Sequence, residues 1–212
     1  MYEIYDSIQG ESTLAGTPCT FVRLAGCPLH CIYCDTPQAI PLDSGEAMDI
    51  DAVTESIRQR GLPLTLVTGG EPLAQRNCLP LLEQLAETLP MVQLETSGVY
   101  DITPVHPAIR RILDIKTPGS GEVKHNRWDN LTQMKVGDEI KFVLTGKKDY
   151  DWAVECMHEH QLFRPDLPVL MSPAWERLEA HELSRWILED RLPVRLQLQQ
   201  HKYIWGAETS GV

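Results

Sequence analysis

The chain has 212 residues, enough for a sizeable core, and we expect a single domain over residues 1–212. Its 19 Lys and Arg against 30 Asp and Glu leave a formal net charge of −11, which argues against a nucleic-acid partner because phosphate backbones require clustered positive charge. The sequence has no apolar run of membrane-spanning length, and its first residues lack the basic and apolar regions of a secretory signal. We therefore expect a cytoplasmic protein with no membrane partner and a small-molecule substrate.

Strands and helices are predicted to alternate along the chain. Residues 1–8 alternate weakly between polar and apolar and end in a polar turn. Strands are predicted at residues 19–24, 64–67, 91–95, 111–114, 139–144, 168–172 and 193–198. Helices are predicted at residues 51–60, 79–89, 150–160 and 175–189. The polar segment 117–138 contains glycines and is predicted to be a loop or lid.

This alternation predicts parallel βαβ units, which form either an open doubly wound sheet or a barrel. Polar motifs at residues 27–36, 68–72, 95–98 and 114–117 each follow a strand, which is where a barrel carries its active site. The connection 100–110 contains two prolines and is too short for a full helix. We therefore expect an α/β fold, an incomplete TIM-like barrel of about six parallel strands with few helices.

Three cysteines lie within eight residues, at Cys27, Cys31 and Cys34, in a loop that contains Pro28. A loop that brings three soft thiolates together predicts a metal site. A structural zinc normally has four protein ligands, whereas a 4Fe-4S cluster held by three thiolates leaves one iron open to another ligand. A small zinc site completed by His30 is the alternative. The other three cysteines stand apart from one another, which suits a reducing compartment.

The cysteine loop resembles that of the radical S-adenosylmethionine (SAM) superfamily, in which SAM occupies the open iron. The Gly-Gly-Glu-Pro turn at 69–72 resembles that superfamily's site for the amino group of SAM. With Gln-Gly-Glu at 9–11, Glu-Thr-Ser-Gly at 95–98 and His-Lys-Tyr at 201–203, nearly the whole chain is similar to the 7-carboxy-7-deazaguanine synthase family. The resemblance implies conversion of 6-carboxy-5,6,7,8-tetrahydropterin to 7-carboxy-7-deazaguanine with release of ammonia, in queuosine precursor biosynthesis.

The resemblance also implies the site residues and the cofactors, which are a 4Fe-4S cluster, SAM and Mg²⁺. The metal ligands are Cys27, Cys31 and Cys34 for the cluster and Thr36 for Mg²⁺. The residues expected to bind SAM are Gly70, Glu71, Ser97, Asp114, Ile115 and Lys116. Those expected to bind the pterin are Ile8, Gln9, Gly10, Glu11, Arg23, Thr68, Gln199 and His201. The last two, Gln199 and His201, belong to a C-terminal segment that is expected to fold over the site. No residue is assigned as a catalytic acid or base, and the role of Lys141 is left open.

Some of these roles have a physical basis in the side chains. Arg23 suits the substrate carboxylate because its planar guanidinium binds carboxylates at two points, and an ion pair with Glu11 or Glu71 is the alternative. The hydroxyl of Thr36 is a hard oxygen donor of the kind Mg²⁺ accepts. Ser12 stands where glycine is common in the family.

Two other functions remain open at this point. One is a radical SAM activating enzyme that acts on a partner protein, and the other is a metal-binding module without catalysis. For the synthase, the expected partners are the small-molecule pterin, an electron donor such as a flavodoxin and a second copy of the chain in a homodimer.

Overall fold

The computed structural model describes residues 1–207, 209 and 211, and within them eight strands form one sheet in chain order. The strands are β1 Glu3–Ile8, β2 Pro18–Leu24, β3 Leu64–Gly69, β4 Val92–Thr96, β5 Arg110–Ile115, β6 Glu139–Leu144, β7 Val169–Pro173 and β8 Arg195–Leu196. The helices are α1 Ile50–Arg60, α2 Cys78–Thr88, α3 Lys147–Glu159, α4 Ala180–Glu189 and α5 Gln200–Trp205. Short 3-10 helices lie at Pro37–Ala39, Pro72–Ala74, Pro118–Ser120, Val123–His125 and Trp128–Gln133.

The sheet is mostly parallel. Each neighbouring pair from β2 to β8 runs parallel, whereas β1 pairs antiparallel with β2. Because β1 and β8 lie at the two ends of the strand order, the barrel is open. The predicted fold class is therefore confirmed. The expected six parallel strands correspond to β2–β7, the structure adds the antiparallel β1, and the strand predicted at 193–198 is present only as the two-residue β8.

The two faces of the sheet differ because side chains alternate along each strand. In β2, Val22 and Leu24 pack into the main apolar core, which the helices cover. Phe21 and Arg23 point to the opposite face, where they line a cavity. We call this second face the inner face. Near the amino ends of the strands it carries a smaller apolar cluster, formed by Cys19, Leu64, Leu66 and Ile112 with Leu14, Phe21 and Met91 packed against it.

Helices α1–α4 lie on the outer face because each presents an apolar stripe to the main core, whereas α5 lies at the cavity, which His201 and Lys202 line. In α1 the buried residues Val53 and Ile57 are four positions apart and so share one face of the helix. Gly61 then ends α1 in the left-handed conformation, with φ of 66°, which glycine adopts without steric strain. Burial of an aliphatic side chain such as Ile57 contributes about 1.5–3 kcal/mol to stability.

Three further predicted segments differ from the structure. The helix predicted at 150–160 begins three residues earlier, at Lys147. The helix predicted from residue 175 begins only at Ala180, because Glu176 has a φ of 59°, which a right-handed helix cannot contain. The predicted loop 117–138 contains three of the 3-10 helices. Among the described residues, no helix combines the length and the apolar composition that a bilayer crossing requires.

Candidate active site

A cavity of about 470 Å³ opens where the parallel strands end. The predicted site residues that line it are Gln9, Glu11, Arg23, Cys27, Cys31, Cys34, Thr36, Thr68, Gly70, Ser97, Asp114, Lys116, Gln199 and His201. Four others, Ile8, Gly10, Glu71 and Ile115, are absent from the described lining. The residues gather here because parallel strands present their carboxyl ends to the same edge. Their ligand-binding roles stay predictions.

The three thiols of the cysteine loop face this one cavity. Burial raises the pKa of each thiol, that of Cys31 to about 11, although Lys116 opposes the rise. The thiols are therefore protonated at neutral pH in the metal-free chain, and metal binding would release their protons. In the part of the chain that is described, no three His, Cys, Asp or Glu side chains are arranged to hold a single metal ion. A soft donor set of three thiols fits a 4Fe-4S cluster, which is larger than one ion.

The cysteine loop is held by hydrogen bonds to the rest of the protein. At its outer side, His30 N donates to Glu122 Oε1 at 2.8 Å, and Ile32 N donates to Ser120 O at 3.1 Å. At its base, Gly26 N donates to Ala39 O at 2.8 Å. Segment 117–126 thus supports the loop that carries the thiols.

The Gly69-Gly70 turn packs against the start of the cysteine loop. Gly70 N donates to Leu24 O at 2.9 Å, and a Cβ on Gly70 would lie 2.5 Å from Gly26 O. A Cβ on Gly69 would overlap the backbone of Leu24. Because they lack a Cβ, the two glycines permit close contact between two backbone segments.

Glu71 uses its carboxylate to join this turn to the end of β4. The carboxylate is fully buried and accepts from Leu73 N at 3.0 Å and from Thr96 Oγ1 at 2.8 Å. It also accepts from the backbone N and the hydroxyl of Ser97 at 2.7 and 2.6 Å. Glu71 therefore presents its carboxylate to protein donors and not to the cavity, and it orients Ser97, which does line the cavity.

Lys141 lies at the centre of a buried group of charges. Its ammonium is 2.5 Å from Glu11 Oε2, 2.5 Å from Glu95 Oε1 and 4.0 Å from Asp114 Oδ2. Burial alone would lower the pKa of Lys141, but the carboxylates hold it well above its usual value. The pKa of Glu95 is raised, mainly by burial, whereas that of Glu11 is lowered because Lys141 outweighs its burial. Lys141 is thus a fixed cation that positions carboxylates from three elements.

Among the described residues, two buried oxygen atoms in this region have neither a hydrogen-bond partner nor an ion-pair partner. They are Asp114 Oδ1 and the phenol oxygen of Tyr33. The other carboxylate oxygen of Asp114 accepts from Lys116 Nζ at 2.9 Å. Because buried polar atoms are normally paired, these two fit a site that is completed by a bound polar molecule such as SAM.

Arg23 extends from β2 toward the cysteine loop. Its Nε donates to Glu3 Oε1 at 2.9 Å, its Nη2 to Tyr5 Oη at 3.0 Å and its Nη1 to Thr36 Oγ1 at 3.3 Å. Its ion-pair partner is therefore Glu3, and the alternative pairing with Glu11 or Glu71 is wrong. The contact with Thr36 brings the predicted carboxylate-binding and Mg²⁺-binding side chains together.

The amide of Gln9 is already engaged by the protein. Its Nε2 donates to Gln93 Oε1 at 2.8 Å, and its Oε1 accepts from Glu11 N at 3.2 Å. The side chain is buried, with 2% of the residue exposed. Gln9 therefore has little free hydrogen-bonding capacity for a substrate, and its main effect is on the backbone of residues 9–11.

The C-terminal segment connects the 9–11 loop to the cysteine loop. Gln199 Nε2 lies 3.0 Å from both Glu11 Oε1 and Asp35 Oδ2, and Lys202 Nζ is 3.5 Å from Asp35 Oδ2. These donors outweigh the effect of burial and hold the pKa of Asp35 at about 2.

His201 lies beside Gly10 in this segment and lines the cavity. Burial lowers the pKa of its imidazole. The side chain is therefore neutral at physiological pH, which suits hydrogen bonding to a polar molecule.

Sequence interpretation did not assign several residues that the structure places at the site. These are Glu3, Tyr5, Tyr33, Asp35, Glu95, Trp175 and Lys202, all of which line the cavity. Asp35 could have been found from its place between Cys34 and Thr36. Glu3 and Tyr5 carried no signal, because they enter the site only through the antiparallel pairing of β1 with β2.

Comparison with known proteins gives a consistent result. Residues 22–116 match the Radical SAM superfamily. A protein of Chlorobaculum tepidum named 7-carboxy-7-deazaguanine synthase is 42% identical, over 99% of this chain and 96% of its own length. One of the same name from Koribacter versatilis is 39% identical over 99% and 98%. The crystal structure of QueE from Escherichia coli has the same fold, with a TM-score of 0.74 and 22% identity over 95% of this chain and 93% of that one. The chain therefore belongs to the 7-carboxy-7-deazaguanine synthase family of radical SAM enzymes.

Proposed function

We propose that this protein converts 6-carboxy-5,6,7,8-tetrahydropterin to 7-carboxy-7-deazaguanine with release of ammonia, a step in queuosine precursor biosynthesis. The observation that carries this proposal is the 42% identity to a relative of that name over almost the full length of both chains. The alternatives, an activating enzyme for a partner protein and a non-catalytic metal-binding module, have no comparable relative among those described above.

The cofactors have matching residues in the cavity. Cys27, Cys31 and Cys34 would hold the 4Fe-4S cluster, and Gly70, Ser97, Asp114 and Lys116 would bind SAM. When bound, the cluster and SAM would supply the radical chemistry for hydrogen removal from the substrate. The protein's own contribution is to orient the substrate and to exclude water.

The substrate would lie on the other side of the cavity. Arg23 would bind its carboxylate through the guanidinium edge that now faces Thr36, and Thr36 would place Mg²⁺ beside that carboxylate. Glu11 would accept from the N–H edge of the pterin, with Thr68, Gln199 and His201 as further polar contacts. Ile8, Gln9 and Gly10 would contribute backbone, since Ile8 and Gly10 do not line the cavity and the amide of Gln9 is engaged.

Three further proposals concern the protein's surroundings. An electron donor such as a flavodoxin would reduce the cluster.

A homodimer that covers α5 is supported by three exposed apolar side chains. These are Tyr203, Ile204 and Trp205, which are 64%, 51% and 46% exposed. Light scattering of the purified protein would measure its mass. All six cysteines are described and are free thiols, which supports a reducing compartment such as the cytoplasm.

The function is tested by anaerobic reconstitution with iron and sulfide, followed by incubation with SAM, Mg²⁺, a reductant and the carboxypterin. We expect 7-carboxy-7-deazaguanine and ammonia in equal amounts. Cys31→Ala should abolish cluster assembly and product formation, whereas Cys156→Ala, which changes a buried cysteine outside the cavity, should retain both. Absence of product from a wild-type protein with a full complement of iron would contradict the proposed reaction.

A further inference from the structure

The loop Gln9–Leu14, here called the substrate loop, inserts into the space enclosed by the inner face of the sheet. Ser12 is 5% exposed, and Leu14 packs against the small apolar cluster near the amino ends of the strands. Two residues in the first half of the loop, Gln9 and Glu11, line the cavity. Residues outside the cavity support the loop on the side that faces away from the cavity.

Gln93 in β4 is the first of these supports. It is fully buried and precedes the cavity residue Glu95 by two positions, so it points to the same inner face but lies deeper. Its Oε1 accepts from Gln9 Nε2 at 2.8 Å, and its Nε2 donates to Ser12 Oγ at 3.1 Å. The buried amide of Gln93 thus forms hydrogen bonds to residues on both sides of Glu11 in the chain.

The hydrogen bond from Gln93 to Ser12 matters because of the backbone conformation of Ser12. Ser12 has a φ of 67°, the left-handed region that favours glycine, so this residue needs local support. Its hydroxyl provides it by accepting from Gln93 and from Leu14 N, the latter at 3.0 Å. Serine at this position therefore ties the loop to β4, which a glycine could not do.

Glu139 in β6 is a second, independent support for the same loop. It is 2% exposed and accepts from Thr13 N at 3.0 Å and from Thr13 Oγ1 at 2.5 Å. Two strands on the inner face therefore hold consecutive residues of the loop, Ser12 and Thr13. A buried polar network with these connections favours one arrangement of the loop over others.

We propose that Gln93 is a positioning residue for substrate binding: through Gln9 and Ser12 it fixes the substrate loop so that Glu11 meets Lys141 and faces the substrate. The chain of contacts is continuous, because Gln9 Oε1 accepts from Glu11 N at 3.2 Å and Glu11 Oε2 lies 2.5 Å from Lys141 Nζ. Gln93 itself is absent from the described cavity lining, so it acts through other residues. This inference rests on the proposed function.

The test compares reconstituted wild-type enzyme with Gln93→Leu, which keeps the volume but removes both hydrogen bonds. We expect the KM for the carboxypterin to rise about tenfold, since two hydrogen bonds of ordinary strength are lost. The iron content, the SAM affinity and kcat should remain within about threefold. Hydrogen exchange of the amides of residues 9–14 should become faster. The matched control is Ile112→Ala, an inner-face apolar residue outside the cavity, which should lose stability without changing KM or exchange in the loop.

Two further variants make the test decisive. Gln9→Leu combined with Gln93→Leu should raise KM little more than either change alone, because both break one chain of contacts. Ser12→Gly removes the hydroxymethyl side chain and relieves the backbone, so it should fold even if Gln93→Leu does not, and it should raise KM about threefold.

The outcomes separate this inference from the proposed function. A wild-type enzyme that makes no product contradicts the proposed function. An active wild type with unchanged KM and loop exchange in Gln93→Leu, or in Ser12→Gly if the first variant does not fold, overturns the positioning role. Equal effects in Ile112→Ala, or additive effects in the double variant, also overturn it.

Discussion

Thr36 places a hydroxyl two residues beyond the last cysteine of the loop, 3.3 Å from Arg23 Nη1. If this hydroxyl is a Mg²⁺ ligand, Thr36→Ala should leave the iron content of the reconstituted protein unchanged. The Mg²⁺ concentration that gives half-maximal turnover should rise at least about tenfold, the size of effect expected when a metal site loses a supporting group. The measurement is a Mg²⁺ titration of product formation. Thr36→Ser keeps the hydroxyl and should behave as the wild type, and an unchanged titration in Thr36→Ala would exclude the ligand role.

Gly10 supports the C-terminal segment although it lies outside the described cavity lining. A Cβ at Gly10 would overlap Nδ1 of His201 and would lie 3.0 Å from His201 N, and Gly10 O accepts from Gln200 N at 3.0 Å. Gly10→Ala should therefore displace α5 and speed hydrogen exchange at residues 199–205 severalfold, because local opening sets the exchange rate.

A matched substitution separates this contact from a general effect of alanine. A Cβ on Gly146 would have no described heavy atom within 4 Å, and the backbone there is extended. Gly146→Ala should leave exchange at residues 199–205 unchanged. The same exchange rates in both variants would show that the packing of Gly10 does not hold the segment.

At the scale of elements, the carboxylate of Glu71 joins the turn after β3 to the end of β4. Glu71→Ala would leave the backbone donors of Leu73 and Ser97 without their acceptor, and an unpaired buried group costs about 1–3 kcal/mol. We expect the free energy of unfolding to fall by about 3 kcal/mol in a urea titration. Glu83→Ala changes an exposed residue of α2 and should cost less than about 0.5 kcal/mol. Equal changes in the two variants would contradict the joining role.

Elements with a strong local pattern could be predicted from the sequence. The strand Glu139–Leu144 has the predicted bounds, and α1 begins one residue earlier than predicted and ends at the predicted Arg60. The positions of the strand ends also predicted which polar residues lie together at the cavity, because the carboxyl ends of parallel strands lie at one edge of the sheet. These features depend on periodicity and on chain direction, both of which are present in the local sequence.

Features that depend on distant partners could not be predicted. The pairing of β1 with β2 brings Glu3 to Arg23, and neither residue's neighbours indicate it. The buried carboxylate of Glu71 was expected at the cavity, because a turn motif does not reveal which donors surround it. Helix α5 has six residues, too few for an amphipathic period to stand out, and its place follows from contacts with Gly10 and Asp35.

Across the whole molecule, the inner face of the sheet changes in character from one end of the strands to the other. The apolar cluster of Cys19, Leu64, Leu66 and Ile112 lies nearest the amino ends. Gln93 and Glu139 hold the substrate loop above it, and the charged group around Lys141 lines the cavity at the carboxyl ends. Because each layer supports the next, the positions of the side chains that line the cavity depend on the packing of the entire sheet.

Asp138 links the global stability of the protein to pH. Its buried carboxylate accepts from Arg111 Nε and N at 2.9 Å and from Lys135 N at 3.0 Å, which joins the start of β5 to the residues before β6. Burial would raise the pKa of Asp138, but these donors hold it below its usual value of 3.8. A lowered pKa in the folded state adds stability that is fully present above the unfolded value and is lost as the pH falls through the folded value.

We therefore expect the free energy of unfolding of the wild type to fall steeply below a pH of about 4, in the ordinary range of Asp titration. Asp138→Asn should be less stable by about 3–5 kcal/mol at neutral pH, because Arg111 then loses its partner while buried, and its stability should depend less on acid pH. The measurement is urea unfolding at a series of pH values. Asp129→Asn, at an exposed position, should follow the wild type. If Asp138→Asn keeps the wild-type slope between pH 4 and the acid limit, Asp138 does not set the acid stability of the fold.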